Sequence, residues 1–224
     1  MKYAIVTGGS ENDYDAMATL IVNMTKVMPD LQVDYIIFHN GLSEKQQKRL
    51  QQYHPVRFEK YHSPISMAAR LFSSSVRYFT PMVYCKYECL RLLDTYDKVM
   101  WTDYDVVFKE DVSDLFDMEH DISFVTNGQS KIIDMFYSKY KVKTAYKLFK
   151  EYDLDAPAIA TPLFVVSRQL KNYMELYYWC NQKTAKCFRY LEQPEQGIIS
   201  MMLQKYHIQY GELSQEINAL NPKF

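Results

Sequence analysis

Glycine is scarce in this chain: 6 residues in 224, with 8 prolines and no tract rich in either. Flexible linkers and low-complexity segments favour such tracts, which argues against a loosely tethered multidomain chain. The length suits one sizeable domain. Cysteine is also sparse. Cys85, Cys89, Cys180 and Cys187 form no C-x-x-C pair, which argues against a zinc ribbon and leaves reduced core thiols as the reading. Long apolar runs are missing. None approaches the ~20 residues that span a bilayer, and the stretch from Met1 to Gly9 is too short for a secretory leader. The expected location is the cytoplasm, with the inner face of the membrane as the alternative. Charge of one sign is lacking too: 26 Lys and Arg face 27 Asp and Glu, for a formal net charge of -1. No global field favours nucleic acid. The five histidines are scattered, and none is assigned a role.

What is present is a chain 48% hydrophobic, enough for a real core. Residues 3–7 read as a strand, and Ala16 to Met28 as a helix stopped by Pro29-Asp30. Val33 to Phe38 reads as a second strand. Ser43 caps a polar helix ending near Gln52, and Val56 to Glu59 makes a third strand. Strand and helix alternate, which predicts an α/β fold with a mostly parallel, mixed central sheet flanked by helices. Further on, Pro81 opens a helix to about Leu93. Lys98 to Thr102 is an apolar strand, continued by Val106-Val107-Phe108. Asp111 to Phe116 reads as a helical turn and Ile122 to Val125 as a strand. Helical spacing marks Lys139 to Tyr152, Ala158 to Val166 is a strand, and Gln169–Gln182 and Glu195–Gln204 are helices.

The sharpest chemical feature is Asp103-Tyr104-Asp105. On extended backbone alternate side chains point the same way, so Asp103 and Asp105 are expected to converge. Two close carboxylates repel each other unless a cation lies between them. Hard Mg²⁺ or Mn²⁺ suits such oxygen ligands and completes its shell with water and phosphate. The carboxyl end of a parallel strand is also where open α/β sheets bind ligands.

With these flanks the chain resembles the family 8 glycosyltransferases, the glycogenin and lipopolysaccharide galactosyltransferase group with a GT-A fold. The family pattern Asp-Lys-Val-Leu-Tyr-Leu-Asp-x-Asp-Val-Leu-Val is met by Asp97 to Phe108, and its acidic turn by Asp114-Leu115-Phe116-Asp117. The resemblance implies one GT-A-like domain over 1–224, with a nucleotide-sugar-binding half at 1–117 and an acceptor half at 118–224. It implies a UDP-sugar donor, a saccharide or glycolipid acceptor and retention of anomeric configuration. By the same resemblance Thr7, Gly8, Asn12 and Tyr14 would cradle the nucleotide. Lys86 would stand for the family's arginine near it, a point charge in place of a bidentate fork. Tyr104 would lie against the nucleotide between the metal ligands Asp103 and Asp105. Glu195 and Gln196, similar to the family's Asp-Gln pair, would work beside the reacting sugar, and Asn218 matches a late asparagine. Two departures stand out. The family's Asn-x-Gly strand reads Ala160-Thr161-Pro162, and its His-x-x-Gly-x-x-Lys-Pro-Trp motif, which supplies a third metal ligand, has no match in this sequence.

Two other readings remain at this stage. Asp103-Tyr104-Asp105-Val106-Val107 also fits the start of a haloacid-dehalogenase-type phosphatase, whose first Asp is a nucleophile. A non-catalytic sugar-nucleotide-binding protein is the third. Lysines 139, 141, 143, 147 and 150 read as a solvated helix face, or as a weak peripheral contact with a membrane.

Overall fold

The computed structural model describes residues 1–66, 71 and 73–213; Asn218 lies outside them. Strand β1 (Tyr3–Ser10) runs up the middle of the sheet. A 3-10 turn leads into helix α1 (Tyr14–Val27), followed by β2 (Asp34–Asn40), α2 (Glu44–Gln51) and β3 (Val56–Lys60). Helix α2 starts at the expected cap: Ser43 Oγ accepts from Gln46 N at 3.3 Å, and Gln46 Oε1 accepts from Ser43 N at 2.9 Å. This reciprocal capping satisfies two otherwise orphaned donors and is worth about 1 kcal/mol.

Next come α3 (Ser74–Phe79), a 3-10 stretch over Pro81–Tyr87, and α4 (Glu88–Leu92). The expected single helix from Pro81 to Leu93 is therefore α-helical only in its last part. β4 (Lys98–Thr102) has the predicted bounds. Val106 to Phe108 does not continue it, because Val106 N donates to Asp103 O at 3.2 Å and turns the chain. β5 (Ile122–Lys131) follows a 3-10 turn at Ser113–Asp117. The helix expected over 139–152 is broken into α5 (Ser138–Tyr140), a π-helical turn at Lys141–Ala145, and α6 (Tyr146–Leu148). β6 (Pro157–Ser167), α7 (Tyr173–Cys187), α8 (Pro194–Lys205) and β7 (Gly211–Leu213) complete the described chain. Helix α7 starts later and ends later than the sequence suggested.

The seven strands lie in the order β3-β2-β1-β4-β6-β5-β7. β1 to β4 are mutually parallel, and β6 alone runs against its neighbours β4 and β5. The fold is thus α/β, with a mixed and mostly parallel sheet. Strand alternation sorts the core into two layers. Ala4, Val6, Ile36, Val99 and Trp101 face α4, α7 and α8. Ile5, Ile37, Met100 and Val165 face α1. Both faces of the central strands are covered, which is why they read as near-continuous apolar runs. The carboxyl ends of β1 and β4 are left side by side at one edge, and the acidic motif sits there.

Candidate active site

A cleft of about 750 Å³ opens at that edge. β1 contributes Gly8 and Gly9, the turn after β4 contributes Asp103, Tyr104 and Asp105, and β6 contributes Ala160 and Pro162. Phe79 and Thr80 line it beyond α3, with Met82, Val83 and Lys86 from the 3-10 stretch. Gln193, Glu195 and Gln196 enter at the start of α8, opposite Asp134 and Met135.

Gly8 is dictated by close approach. A Cβ there would lie 2.5 Å from Cys85 Sγ and 3.1 Å from the Phe38 carbonyl oxygen. Thr80 is the cleft's strained residue, with φ 59° and ψ 165°. A β-branched side chain seldom adopts that backbone. Its hydroxyl accepts from Met82 N at 3.2 Å and caps the following turn.

The expectation that Asp103 and Asp105 converge from an extended strand is corrected. β4 ends at Thr102, and Asp103 N donates to Pro162 O at 2.7 Å. The chain then turns through Tyr104 and Asp105. Both carboxylates line the cleft, but by way of a turn and not of strand alternation.

Beneath the cleft lies a buried charge cluster centred on Lys86. Its Nζ is 3.0 Å from Asp103 Oδ1 and 3.0 Å from Glu195 Oε1. It also donates to Thr161, whose carbonyl and hydroxyl oxygens are each at 3.2 Å. Thr161 Oγ1 donates to Glu195 Oε1 at 2.8 Å, and Trp101 Nε1 donates to Asp103 Oδ1 at 2.8 Å. Burial alone would push the Lys86 ammonium down; Asp103 and then Glu195 outweigh it and hold it above the ordinary lysine range. Burial pushes the Asp103 carboxyl above its usual range, opposed by Lys86 and the Trp101 indole N–H. Burial, then the Asp13 carboxylate, raises the Tyr104 phenol. A lysine has three N–H donors, and those of Lys86 are committed to Asp103, Glu195 and Thr161. In this arrangement it acts as a strut between two carboxylates.

Of the residues named from sequence, Gly8, Lys86, Asp103, Tyr104, Asp105, Glu195 and Gln196 line one cleft. Thr7, Asn12 and Tyr14 do not. Thr7 is buried, with a hydroxyl that has no partner. Asn12 is exposed on the 3-10 turn. Tyr14 borders a separate groove with Asp15, Arg49 and Tyr53. The reason is local: α1 begins at Tyr14 itself and turns that ring away, leaving Asp13 at the cleft. Trp101 and Thr161 were not singled out from sequence. Thr161 sits in a strand reading as ordinary core, and only the antiparallel pairing of β4 with β6 brings it to Lys86.

A divalent cation fits the donor set. Asp105 is exposed and makes no ion pair among the described residues. Among the described residues Asp103 Oδ2 accepts from Lys86 alone, at 3.1 Å, which leaves it a lone pair. No group of three His, Cys, Asp or Glu residues suited to a metal occurs among the described residues. Mg²⁺-type ions are commonly held by one or two carboxylates, with phosphate and water completing the shell.

The sequence model described as "Glycosyl transferase family 8" matches residues 4–209. A search of the curated proteins found no match. Among solved structures, the chain is similar to the WbbM bifunctional glycosyltransferase at a TM-score of 0.70 and 17% identity, covering 96% of this chain and 39% of that one. It thus spans well under half of WbbM. An active-site mutant of LgtC gives a TM-score of 0.69 at 11% identity, over 99% of this chain and 79% of that one. The glycosyltransferase GlyE of Streptococcus pneumoniae gives 0.64 at 14% identity, over 97% and 46%. At these identities the structures bear on fold alone, which is GT-A-like, whereas the sequence match spans nearly the whole chain: the chain belongs to glycosyl transferase family 8.

Proposed function

We propose that the protein is a metal-dependent, retaining glycosyltransferase that moves a hexose, glucose or galactose, from a UDP-sugar to a hydroxyl of a saccharide or glycolipid. The observation that carries this reading is the charge balance of the cleft. Asp13, Asp103, Asp105, Asp134 and Glu195 line it, and among the described lining residues Lys86 is the one Lys or Arg. That ammonium is already committed to Asp103, Glu195 and Thr161. A diphosphate entering such a cleft would meet like charge on all sides unless a divalent cation came with it.

Asp103 and Asp105 would hold Mn²⁺ or Mg²⁺. Bound there, the ion would offset the charge that builds on the departing UDP. The chain's own residues do the rest. Trp101 and Lys86 fix the orientation of the Asp103 carboxylate. Glu195, held by Lys86 and Thr161 through Oε1, would orient sugar hydroxyls with its other oxygen. The Gln196 side chain would face the sugar as positive charge develops on it. With Glu195 restrained in this way, no side chain among the described residues stands out as a glycosyl nucleophile. That favours a front-face route, in which leaving group and acceptor share one side of the sugar. A Mn/GDP form is known for Core-mannan synthase A of Aspergillus fumigatus, similar to this chain at a TM-score of 0.59 and 12% identity.

Calorimetry with UDP, with Mn²⁺ and with EDTA tests the reading. UDP is expected to bind with Mn²⁺ and to lose most of its affinity in EDTA; equal affinity in both would overturn it. Turnover of a UDP-hexose then separates an enzyme from a non-catalytic binder.

A further inference from the structure

The segment from Ser138 to Lys150 holds five lysines and no acidic residue, in a chain whose formal net charge is -1. Its positive charge is therefore local and is balanced elsewhere on the molecule. The segment is not one long helix; the π-helical turn between α5 and α6 interrupts it. Ala145 and Phe149 point inward and are buried. Lys143, Tyr146, Lys147, Leu148 and Lys150 are exposed. Tyr146 is 42% exposed and Leu148 47%, which sets a ring and an aliphatic chain among the lysines.

The face continues beyond the segment through edge-to-face rings, anchored on the buried Phe149, and through cations. Phe149 and Tyr190 lie 6.0 Å apart, and Tyr140 and Tyr190 5.2 Å apart. Lys139 sits 4.9 Å over Tyr140, Arg189 4.9 Å over Tyr190, and Lys183 5.1 Å over Phe149. Two acidic groups touch this surface. Glu151 pairs with Lys183 at 3.3 Å, and Asp155 accepts from the Tyr146 hydroxyl at 3.2 Å. Neither reaches the outward-facing lysines at 143, 147 and 150 among the described ion pairs. The face also follows directly on Asp134 and Met135, which line the cleft.

From this arrangement we propose that the face built on residues 138–150, with Arg189 beside it, docks on the surface of an anionic lipid bilayer. Lysines supply attraction to acidic headgroups over roughly a Debye length. Tyrosine, apolar in body and polar at its tip, suits the headgroup boundary. Leu148 decides between lipid and a soluble polyanion. An aliphatic side chain gains nothing against a sulfated or phosphorylated chain in water, but it gains by entering the acyl boundary. No helix of the described residues is long and apolar enough to cross a membrane, so the contact is peripheral.

Co-sedimentation with vesicles tests this without any sugar donor, so its outcome is independent of the transfer reading. Binding to phosphatidylglycerol–phosphatidylcholine vesicles at low salt is expected, with little retention on phosphatidylcholine alone. Each lysine removed weakens partitioning about fivefold, so Lys143→Ala with Lys147→Ala weakens it roughly 25-fold. Leu148→Ser removes the binding that survives at about 0.5 M salt. All three residues are exposed, and circular dichroism confirms that the variants stay folded. Absence of binding to the acidic vesicles, equal retention on neutral ones, or unchanged binding by the double variant would overturn the proposal. So would capture on immobilised heparin with no vesicle binding, since that marks a polyanion site.

Discussion

Lys86 Nζ lies 3.0 Å from Glu195 Oε1, a buried ion pair linking the 3-10 stretch after α3 to the start of α8 beneath the cleft. The two side chains are 6% and 5% exposed. The same ammonium holds Asp103, so one cation fixes two carboxylates that line the cleft.

Removing that cation strands two carboxylates. Lys86→Met is expected to destabilise the fold by about 3 kcal/mol, the low end for breaking a buried pair, because the Asp103 carboxylate keeps some contact with water. Urea unfolding measures it. A loss under about 1 kcal/mol would show that the cluster is not a strut.

Trp101 and Thr161 act on different acids and should separate kinetically. Trp101→Phe removes the N–H that Asp103 accepts and keeps most of the ring. A weakening of Mn²⁺ binding by roughly tenfold, read by electron paramagnetic resonance, is the expected result. Thr161→Val removes the hydroxyl held by Glu195 and Lys86 with little change of shape. It should lower kcat while leaving the Mn²⁺ affinity near wild type. Identical effects of the two variants on metal affinity would contradict this division.

Gly8→Ala should cost about 1–3 kcal/mol, because the new methyl meets Cys85 Sγ at 2.5 Å. Cys85→Ala opens that space, so the double variant should lose less than the sum of the single ones. Additivity within error in thermal unfolding would show that Cys85 does not set the limit.

Two histidines should make stability fall in acid. Burial, and for His39 also Lys60, lowers the imidazole pKa of His39; burial alone lowers that of His54. Below the unfolded value of 6.5 the unfolded chain takes up protons that the folded one refuses. Their contribution is thus neutral above about pH 6.5 and destabilising as pH falls below it. The melting temperature should drop from pH 7 towards pH 5, and replacing both with asparagine should flatten the slope. An unchanged slope in that variant would rule out these groups.

The order of elements in the first sixty residues was legible because apolar periodicity and the Ser43 cap are local signals. So was β4, a short apolar run with a charged residue at each end. The turn at Asp103 was not: Val106 and Val107 continue the apolar pattern, and the bond from Asp103 N to Pro162 O that ends the strand comes from β6. That Tyr14 borders a groove other than the cleft was not legible for a similar reason. A family-like spacing put it at the nucleotide, while the 3-10 turn Glu11–Asp13 delivers Asp13 to the cleft instead. The partners of Lys86 were invisible because Thr161 and Glu195 lie 75 and 109 residues away. Sequence marked the acid pair; the clamp on Asp103 required the sheet.

If Asp103 and Asp105 hold a metal that lets a diphosphate enter the acidic cleft, turnover should need both carboxylates and the ion. Donor hydrolysis by Asp103→Asn and Asp105→Asn, with Mn²⁺ and with EDTA, tests it most directly. Wild-type turnover should require the metal, and each variant should fall at least about a hundredfold, the scale of a lost electrostatic contact to the leaving group. Undiminished, metal-independent turnover in both variants would contradict the account.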